Sequence, residues 1–374
     1  MDELDVSVVI PCLNEEEGIE QVVRDALAAI DAGGLRGEVV VVDNASEDRS
    51  AALARAAGAM VVDEPRRGYG SAYLAGLAAA RGRTIVMTDA DGTYPIDLLP
   101  ELVRRLDAGA DMVIGNRFKG HIDAGAMPWP NRYIGNPILT GMLNLLFRTG
   151  ISDAHCGLRA VRRDALPTLG LQATGMEFAS EMVIKAGKRG LRVEEVPIDY
   201  HARIGESKLA RASDAWRHVR FMLVHSPTFL FALPGGAAVV VGLAALVVLA
   251  AARNLGDPWT GVAVGFAMVT LVGQGAVQLG LFARTYAIIY LGEPGGTIER
   301  MWKRMRLEHG LRLAGATLVV GLVLTAISFF SSSKDPRLGV LGLTLVAMAF
   351  QGAFAAFFLS ILGLSEHALL RRQG

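Results

Sequence analysis

The chain has only two cysteines in 374 residues and no net charge, with 37 lysines and arginines against 37 aspartates and glutamates. Cys12 and Cys156 lack metal-ligand spacing and make no disulfide framework, which fits a reducing compartment. Without a basic excess there is no global field to attract nucleic acid, and no nucleic-acid partner is expected. A GxxxxGK[ST] string is missing, which excludes a P-loop, and Gly205-Glu206-Ser207-Lys208 lacks the glycine spacing of one. Gly68-Tyr69-Gly70 is too short for a dinucleotide fingerprint and does not follow the first strand, so it reads as a helix-entry loop. There is no GxSxG elbow, and the seven histidines include no HExxH. His155 beside Cys156 has no second pair of such ligands and reads as a structural loop. The first residues, MDELDVSVVIPC, have neither a basic n-region nor a long apolar h-region, so no signal peptide is expected.

What the chain has in excess is apolar surface. Its mean hydropathy of +0.36, with 52% hydrophobic residues, points to membrane segments. Four apolar stretches, at about 228–251, 261–283, 312–331 and 338–363, are each long enough to cross a bilayer. The connection after the second carries Arg300, Lys303, Arg304 and Arg306, whereas the others carry only Arg253, and Lys334 with Arg337. The positive-inside bias then puts that loop, both termini and the first half of the chain in the cytoplasm. Arg284 and Tyr286, at the cytosolic end of the second span, read as snorkelling anchors or as contacts for a lipid headgroup. Segment 211–226 mixes Trp216, Val219, Phe221 and Met222 with Arg211, Arg217, His218 and Arg220. It suits an interfacial helix in the headgroups or an amphipathic helix packed on the preceding domain.

Residues 1–225 form the first of two expected domains, and 226–374 the second. In the first, β-branched runs at Val6–Ile10, Glu38–Val42, Ala59–Val62, Thr84–Thr88 and Asp111–Ile114 alternate with helical patterns at Glu15–Ile30, Arg49–Ala57, Ala72–Arg81 and Ile96–Leu106. Strict alternation implies a mostly parallel α/β sheet covered on both faces, with ligands beyond the C-terminal strand ends. Those ends are polar: Pro11-Cys12-Leu13-Asn14-Glu15, Asp43-Asn44-Ala45-Ser46 and Asp89-Ala90-Asp91. Two carboxylates spaced i, i+2 after a buried strand are costly unless they are solvated or paired. They fit a hard cation such as Mg²⁺ or Mn²⁺ on a diphosphate, or else a strand end running into the Asp-Gly and Tyr-Pro turns that follow.

The strings VSVVIPCLNEEEGI, VVVDNASEDRS, TDADGTYP, IGNRF, DAHCGLRAVRRDAL, EVPIDY and RIGESKL together resemble the family 2 glycosyltransferases of GT-A fold. The group they resemble is the polyprenyl-phosphate sugar synthases related to dolichol-phosphate mannose synthase. The resemblance spans roughly residues 5–225 in the family's order, and it implies a Rossmann-like GT-A domain followed by a transmembrane domain of four helices. Carried over by position, Pro11, Asn14 and Glu15 line the nucleotide-sugar site, and Asp43 contacts the nucleobase or ribose. Asp89 and Asp91 form the DxD-type motif that holds Mg²⁺ or Mn²⁺. Arg117 faces a phosphate near the reacting centre. Arg132, Arg203, Ser207 and Lys208 resemble a clamp for the acceptor phosphate and the leaving diphosphate. The chain departs from the pattern at Thr93, where relatives commonly have a metal-site glutamine, and at Asn44, where many have a second aspartate.

The implied reaction moves one hexose, mannose or glucose, from GDP or UDP to polyprenyl or dolichyl phosphate at the cytosolic membrane face, with inversion. A phosphate acceptor is already ionised, so the site needs positioning and charge stabilisation more than a base. The alternatives are a processive polysaccharide synthase, whose QxxRW-type motif is missing, a non-catalytic membrane scaffold, and a nucleotide-binding oxidoreductase. The intact acidic and basic motif residues disfavour the scaffold, and the missing glycine fingerprint disfavours the oxidoreductase. A homo-oligomer is compatible with the sequence.

Overall fold

The computed structural model describes residues 4–205, 211–252, 258–290, 307–330 and 336–370. Ser207 and Lys208 lie outside them, as do Arg253, Arg300, Lys303, Arg304, Arg306 and Lys334, whose charges set the expected orientation. The chain divides into two compact units, Met1–Met222 and Leu223–Gly374.

Valine-rich runs supply the centre of the first unit. The strands are β1 (Val6–Cys12), β2 (Gly37–Asp43), β3 (Met60–Asp63), β4 (Thr84–Met87), β5 (Met112–Asn116), β6 (Arg159–Arg162) and β7 (Val193–Pro197). They form one sheet in the order β3-β2-β1-β4-β6-β5-β7. Every pairing is parallel except those of β6, which runs antiparallel to both β4 and β5. Between them lie α1 (Ile19–Ala32), α2 (Ser50–Ala56), α3 (Tyr69–Ala79), α4 (Leu99–Asp107), α5 (Asn136–Phe147), α6 (Leu166–Leu169) and α7 (Phe178–Arg189). Helix α4 shows why these segments pack as helices: Leu99, Leu102, Val103 and Leu106 are buried at helical spacing.

The five expected strands are all present, the first running two residues further, to Cys12. The first helix begins at Ile19 rather than Glu15, because Asn14 adopts a left-handed φ of 52° and residues 15–18 turn instead. The third starts earlier than expected, at Tyr69, so the Gly68-Tyr69-Gly70 loop does enter a helix. Helix α8 (Arg211–Val224) buries His218 and Met222, while Trp216 and Val224 are each 62% exposed. One face of this amphipathic segment therefore packs on the domain, and the other carries an exposed indole.

The second unit contains α9 (Leu233–Ala251), entered through a π-helical turn at Thr228–Ala232, then α10 (Pro258–Tyr290), α11 (Leu307–Phe330) and α12 (Pro336–Leu370). Among the described residues, four stretches are long and apolar enough to span a membrane: Thr228–Ala251, Pro258–Ile289, Leu307–Phe330 and Pro336–Leu362. Helix α10 continues past the expected end at 283, so Arg284 and Tyr286 lie within its last two turns. Glycines bring the helices close: a Cβ on Gly235 of α9 would meet the Gly273 carbonyl of α10 at 2.6 Å. On α11, a Cβ on Gly321 would meet the Gly342 carbonyl of α12 at 2.8 Å.

The turn into β4 is equally tight. A Cβ on Gly82 would lie 2.4 Å from both Ser7 N and the Val6 carbonyl carbon, backbone atoms of the central strand. Gly82→Ala is expected to destabilise the domain by about 1–3 kcal/mol through this overpacking. The measurement is the unfolding midpoint of the full chain in detergent, with an unchanged midpoint counting against the contact.

Candidate active site

Register brings the polar strand ends to one edge. Cys12 pairs with Asp43 across β1 and β2, and the Thr88 N–H donates to the Val9 carbonyl, so Asp89 leaves the sheet beside Pro11. Asn14 then turns the chain: its backbone N–H donates to Ser46 Oγ at 3.0 Å, and its Oδ1 accepts the Glu47 N–H at 2.7 Å. The Glu15 N–H donates to Ser50 Oγ at 2.8 Å. The loops after β1 and β2 are thus tied into a single rim.

Arg203 connects that rim to the acidic pair. Its Nη1 donates to Asp91 Oδ2 at 3.0 Å, and its Nη2 is bonded to Glu15 Oε1. The segment carrying it is held by backbone bonds, His201 N–H to the Thr93 carbonyl and Ile204 N–H to the Asp91 carbonyl. Asp91 is 7% exposed, and its other oxygen accepts both the Thr93 N–H at 3.1 Å and the Thr93 hydroxyl at 2.7 Å. Thr93, at the glutamine position, therefore braces the aspartate through its hydroxyl.

Asp89 faces a different environment. Its Oδ1 accepts the Tyr69 hydroxyl at 3.1 Å, and its Oδ2 lies against Gly157, where a Cβ would intrude to 2.8 Å. Burial, reinforced by the negative charge of Asp91, pushes its carboxyl up to about 7. A buried carboxyl raised by burial and by its neighbour's charge marks a site short of positive charge. Their oxygen donors fit Mg²⁺ or Mn²⁺, which takes one or two carboxylates and completes its shell with phosphate oxygens. No cage of three or more acidic, His or Cys ligands occurs among the described residues, so phosphate ligands would be needed.

Asp43 ends β2 with Oδ1 buried and without a hydrogen-bond partner among the described residues. That atom requires a donor, as a ribose hydroxyl or a base N–H would supply. Neighbouring Asn44 is occupied. Its Nδ2 donates to the Glu64 and Arg66 carbonyls at 2.9 Å each, and its Oδ1 accepts the Gly68 N–H at 2.7 Å. An aspartate has no donors for those carbonyls, so the asparagine fits a role in holding the 64–68 loop.

Arg117 is 6% exposed and gripped by Asp153, from Nε to Oδ2 and Nη2 to Oδ1, both at 2.8 Å. Its guanidinium lies 5.3 Å from the Tyr200 ring and 6.0 Å from the Phe118 ring. Nη1 stays outside the Asp153 pair. Arg132 stands apart, half-buried over Tyr133 at 5.5 Å. The structure thus gathers Pro11, Asn14, Glu15, Asp43, Asp89, Asp91 and Arg203 on one edge, places Arg117 in a buried ion pair, and leaves Arg132 separate. Asp153 lies in the DAHCGLRAVRRDAL string and Tyr69 in the Gly68-Tyr69-Gly70 loop, and only the fold brings them to Arg117 and Asp89. Cys156 is a buried thiol that burial pushes up to about 12, in keeping with a structural loop.

Residues 7–170 match the model for glycosyl transferase family 2, and residues 281–363 match that for the glycosyltransferase family 2 C-terminal transmembrane region. The low-salt glycan biosynthesis hexosyltransferase Agl6 of Haloferax volcanii is 38% identical over 368 residues, covering 96% of this chain and 89% of that protein. An undecaprenyl-phosphate 4-deoxy-4-formamido-L-arabinose transferase of Pseudomonas paraeruginosa is 31% identical, covering 88% and 97% respectively. Among solved structures, glucosyl-3-phosphoglycerate synthase from Mycobacterium tuberculosis, in complex with Mn²⁺, UDP and glucosyl-3-phosphoglycerate, superposes with a TM-score of 0.50. It is 25% identical and covers 60% of this chain and 80% of its own. A GT-A-like sheet with an acidic ligand edge, continued by four membrane-length helices, agrees with both family matches: the chain is an integral-membrane glycosyltransferase of family 2.

Proposed function

We propose that the enzyme transfers a single hexose, mannose or glucose, from a GDP- or UDP-sugar to polyprenyl or dolichyl phosphate, with inversion, at the cytosolic membrane face. The observation that carries the reading is the Glu15–Arg203–Asp91 arrangement beside Asp89, a concentration of carboxylates balanced by one guanidinium. Relatives named for polyprenyl-phosphate and glycan hexosyl transfer align across both halves of the chain, which supports a lipid acceptor. The basic connection between the second and third spans supports a cytosolic active site and cytosolic termini.

In this reading Asp89 and Asp91 would hold Mg²⁺ or Mn²⁺, which when bound would supply positive charge against the departing diphosphate. Asp43 receives a hydrogen bond from the nucleoside, and Pro11, Asn14 and Glu15 shape the rim around it. Arg203, held between Glu15 and Asp91, adds positive charge beside the same diphosphate. Arg117, immobilised by Asp153, presents its remaining Nη1 edge to the acceptor phosphate. Ser207, Lys208 and Arg132 would add positive charge around that acceptor. The acceptor oxygen attacks the anomeric carbon from the face opposite the leaving diphosphate, and the C–O bond to that diphosphate breaks. No proton needs to be removed, which accounts for a site without a dedicated base.

Membranes containing the protein are expected to convert polyprenyl phosphate and one donor of a GDP- and UDP-sugar panel into a chloroform-soluble, acid-labile glycolipid. Asp91→Ala should reduce that conversion at least a hundredfold. A wild-type protein that makes no glycolipid from any donor overturns the reading.

The raised Asp89 carboxyl gives a second expectation. A carboxyl with its folded pKa above its unfolded value favours the fold most at low pH, and that contribution is lost as pH rises through about 7. Ligand-free Asp89→Asn keeps an acceptor for Tyr69 and should melt higher than wild type at pH 8, with the gap closing toward pH 4. Mn²⁺ with a nucleoside diphosphate should raise the wild-type midpoint and leave that of the variant unchanged.

A further inference from the structure

The loop entering β6 touches both sides of the site. Asp153 grips Arg117, and the Gly157 N–H donates to the Tyr94 hydroxyl at 2.8 Å while its Cα backs the Asp89 carboxylate. Fully buried Arg159 staples the same loop, donating to the Ala154, Cys156 and Ala179 carbonyls at 2.8–2.9 Å. One more connection leaves the loop altogether. His155 Nε2 lies 3.2 Å from Ser180 Oγ on α7, and that oxygen lies 2.8 Å from His218 Nδ1 on α8. The two imidazoles also meet edge to face at 4.7 Å.

The hydrogen bonds have a preferred direction. His155 Nδ1 is buried without a partner among the described residues. A bare ring nitrogen there costs less than an unpaired N–H, so the proton belongs on Nε2. His155 then donates to Ser180, and Ser180 donates to His218 Nδ1. Burial keeps both imidazoles neutral near pH 7, which preserves this chain.

We propose that His218 is a positioning residue: through Ser180 and His155 it fixes the 153–157 loop, and with it the Arg117 guanidinium, relative to helix α8. The acceptor side of this inference rests on the reading that Arg117 faces the acceptor phosphate. Helix α8 leads directly into the first membrane span, and its opposite face exposes Trp216 and Val224. A displacement of that helix by lipid would therefore be transmitted to the acceptor arginine.

The test uses the full chain in lipid nanodiscs with Ser180→Ala, His218→Leu and His218→Asn, the last placing an amide nitrogen or oxygen near the Nδ1 position. Amide hydrogen exchange of the 153–157 segment should rise at least tenfold in Ser180→Ala and His218→Leu, with β1 and β2 unchanged and His218→Asn close to wild type. The acceptor KM should rise at least fivefold in the same two variants, with the donor KM within twofold. Ser180→Ala with His218→Leu should be no worse than either alone. Unchanged exchange in both variants, equal losses for donor and acceptor, or multiplicative effects in the double variant overturn the proposal. A wild type inactive with every donor overturns the proposed reaction instead, and the exchange measurement still decides the connection.

Discussion

Carboxylates repel one another, and this fold collects them at one edge of a sheet. Glu15 and Asp91 follow different strands and lie together because Arg203 stands between them. The other features of the rim accommodate the same crowding. Thr93 turns its hydroxyl onto Asp91, Tyr69 donates to Asp89, and Asp89 remains close to protonation at neutral pH. Such an arrangement costs stability, and in the proposed reaction a cation and a diphosphate would relieve it. Arg117 solves the opposite problem, a buried cation, with Asp153 and two aromatic rings.

The half of the sheet from β1 to β4 was legible because its signals are local. Runs such as Val39–Val42 are buried on both faces and read as central strands, and the polar residues that follow them fall on the ligand edge by topology alone. Strands β6 and β7 gave no such signal. Their sequences, RAVR and VEEVP, are short and charged, and only their neighbours in the sheet make them strands. The partnership of Asp153 with Arg117 spans 36 positions and has no periodicity to reveal it. The Ser180–His218 contact is equally distant, at 38 positions.

The two departures from the family pattern take on physical meaning in the structure. Asn44 offers two donors to facing carbonyls and an acceptor to Gly68, so the amide suits its place in the loop. Thr93 is too short to extend past the aspartate it supports, and its hydroxyl is committed there. Each residue sits beside an acidic group and organises it, one by holding the neighbouring loop and the other by direct donation.

The single reversed strand has a further effect. Because β6 runs against β4 and β5, it starts at the edge where β5 ends, with Arg159 opposite Met87 and Ile114. The chain between Arg117 and Leu158 therefore departs from the ligand edge and returns to it without crossing the sheet. An excursion with both ends on the same rim can lengthen, shorten or change its surface while strands β1 to β4 keep their register. One inverted strand thus gives the scaffold a region whose far part can vary while its ends stay fixed at the rim by Asp153 and Gly157.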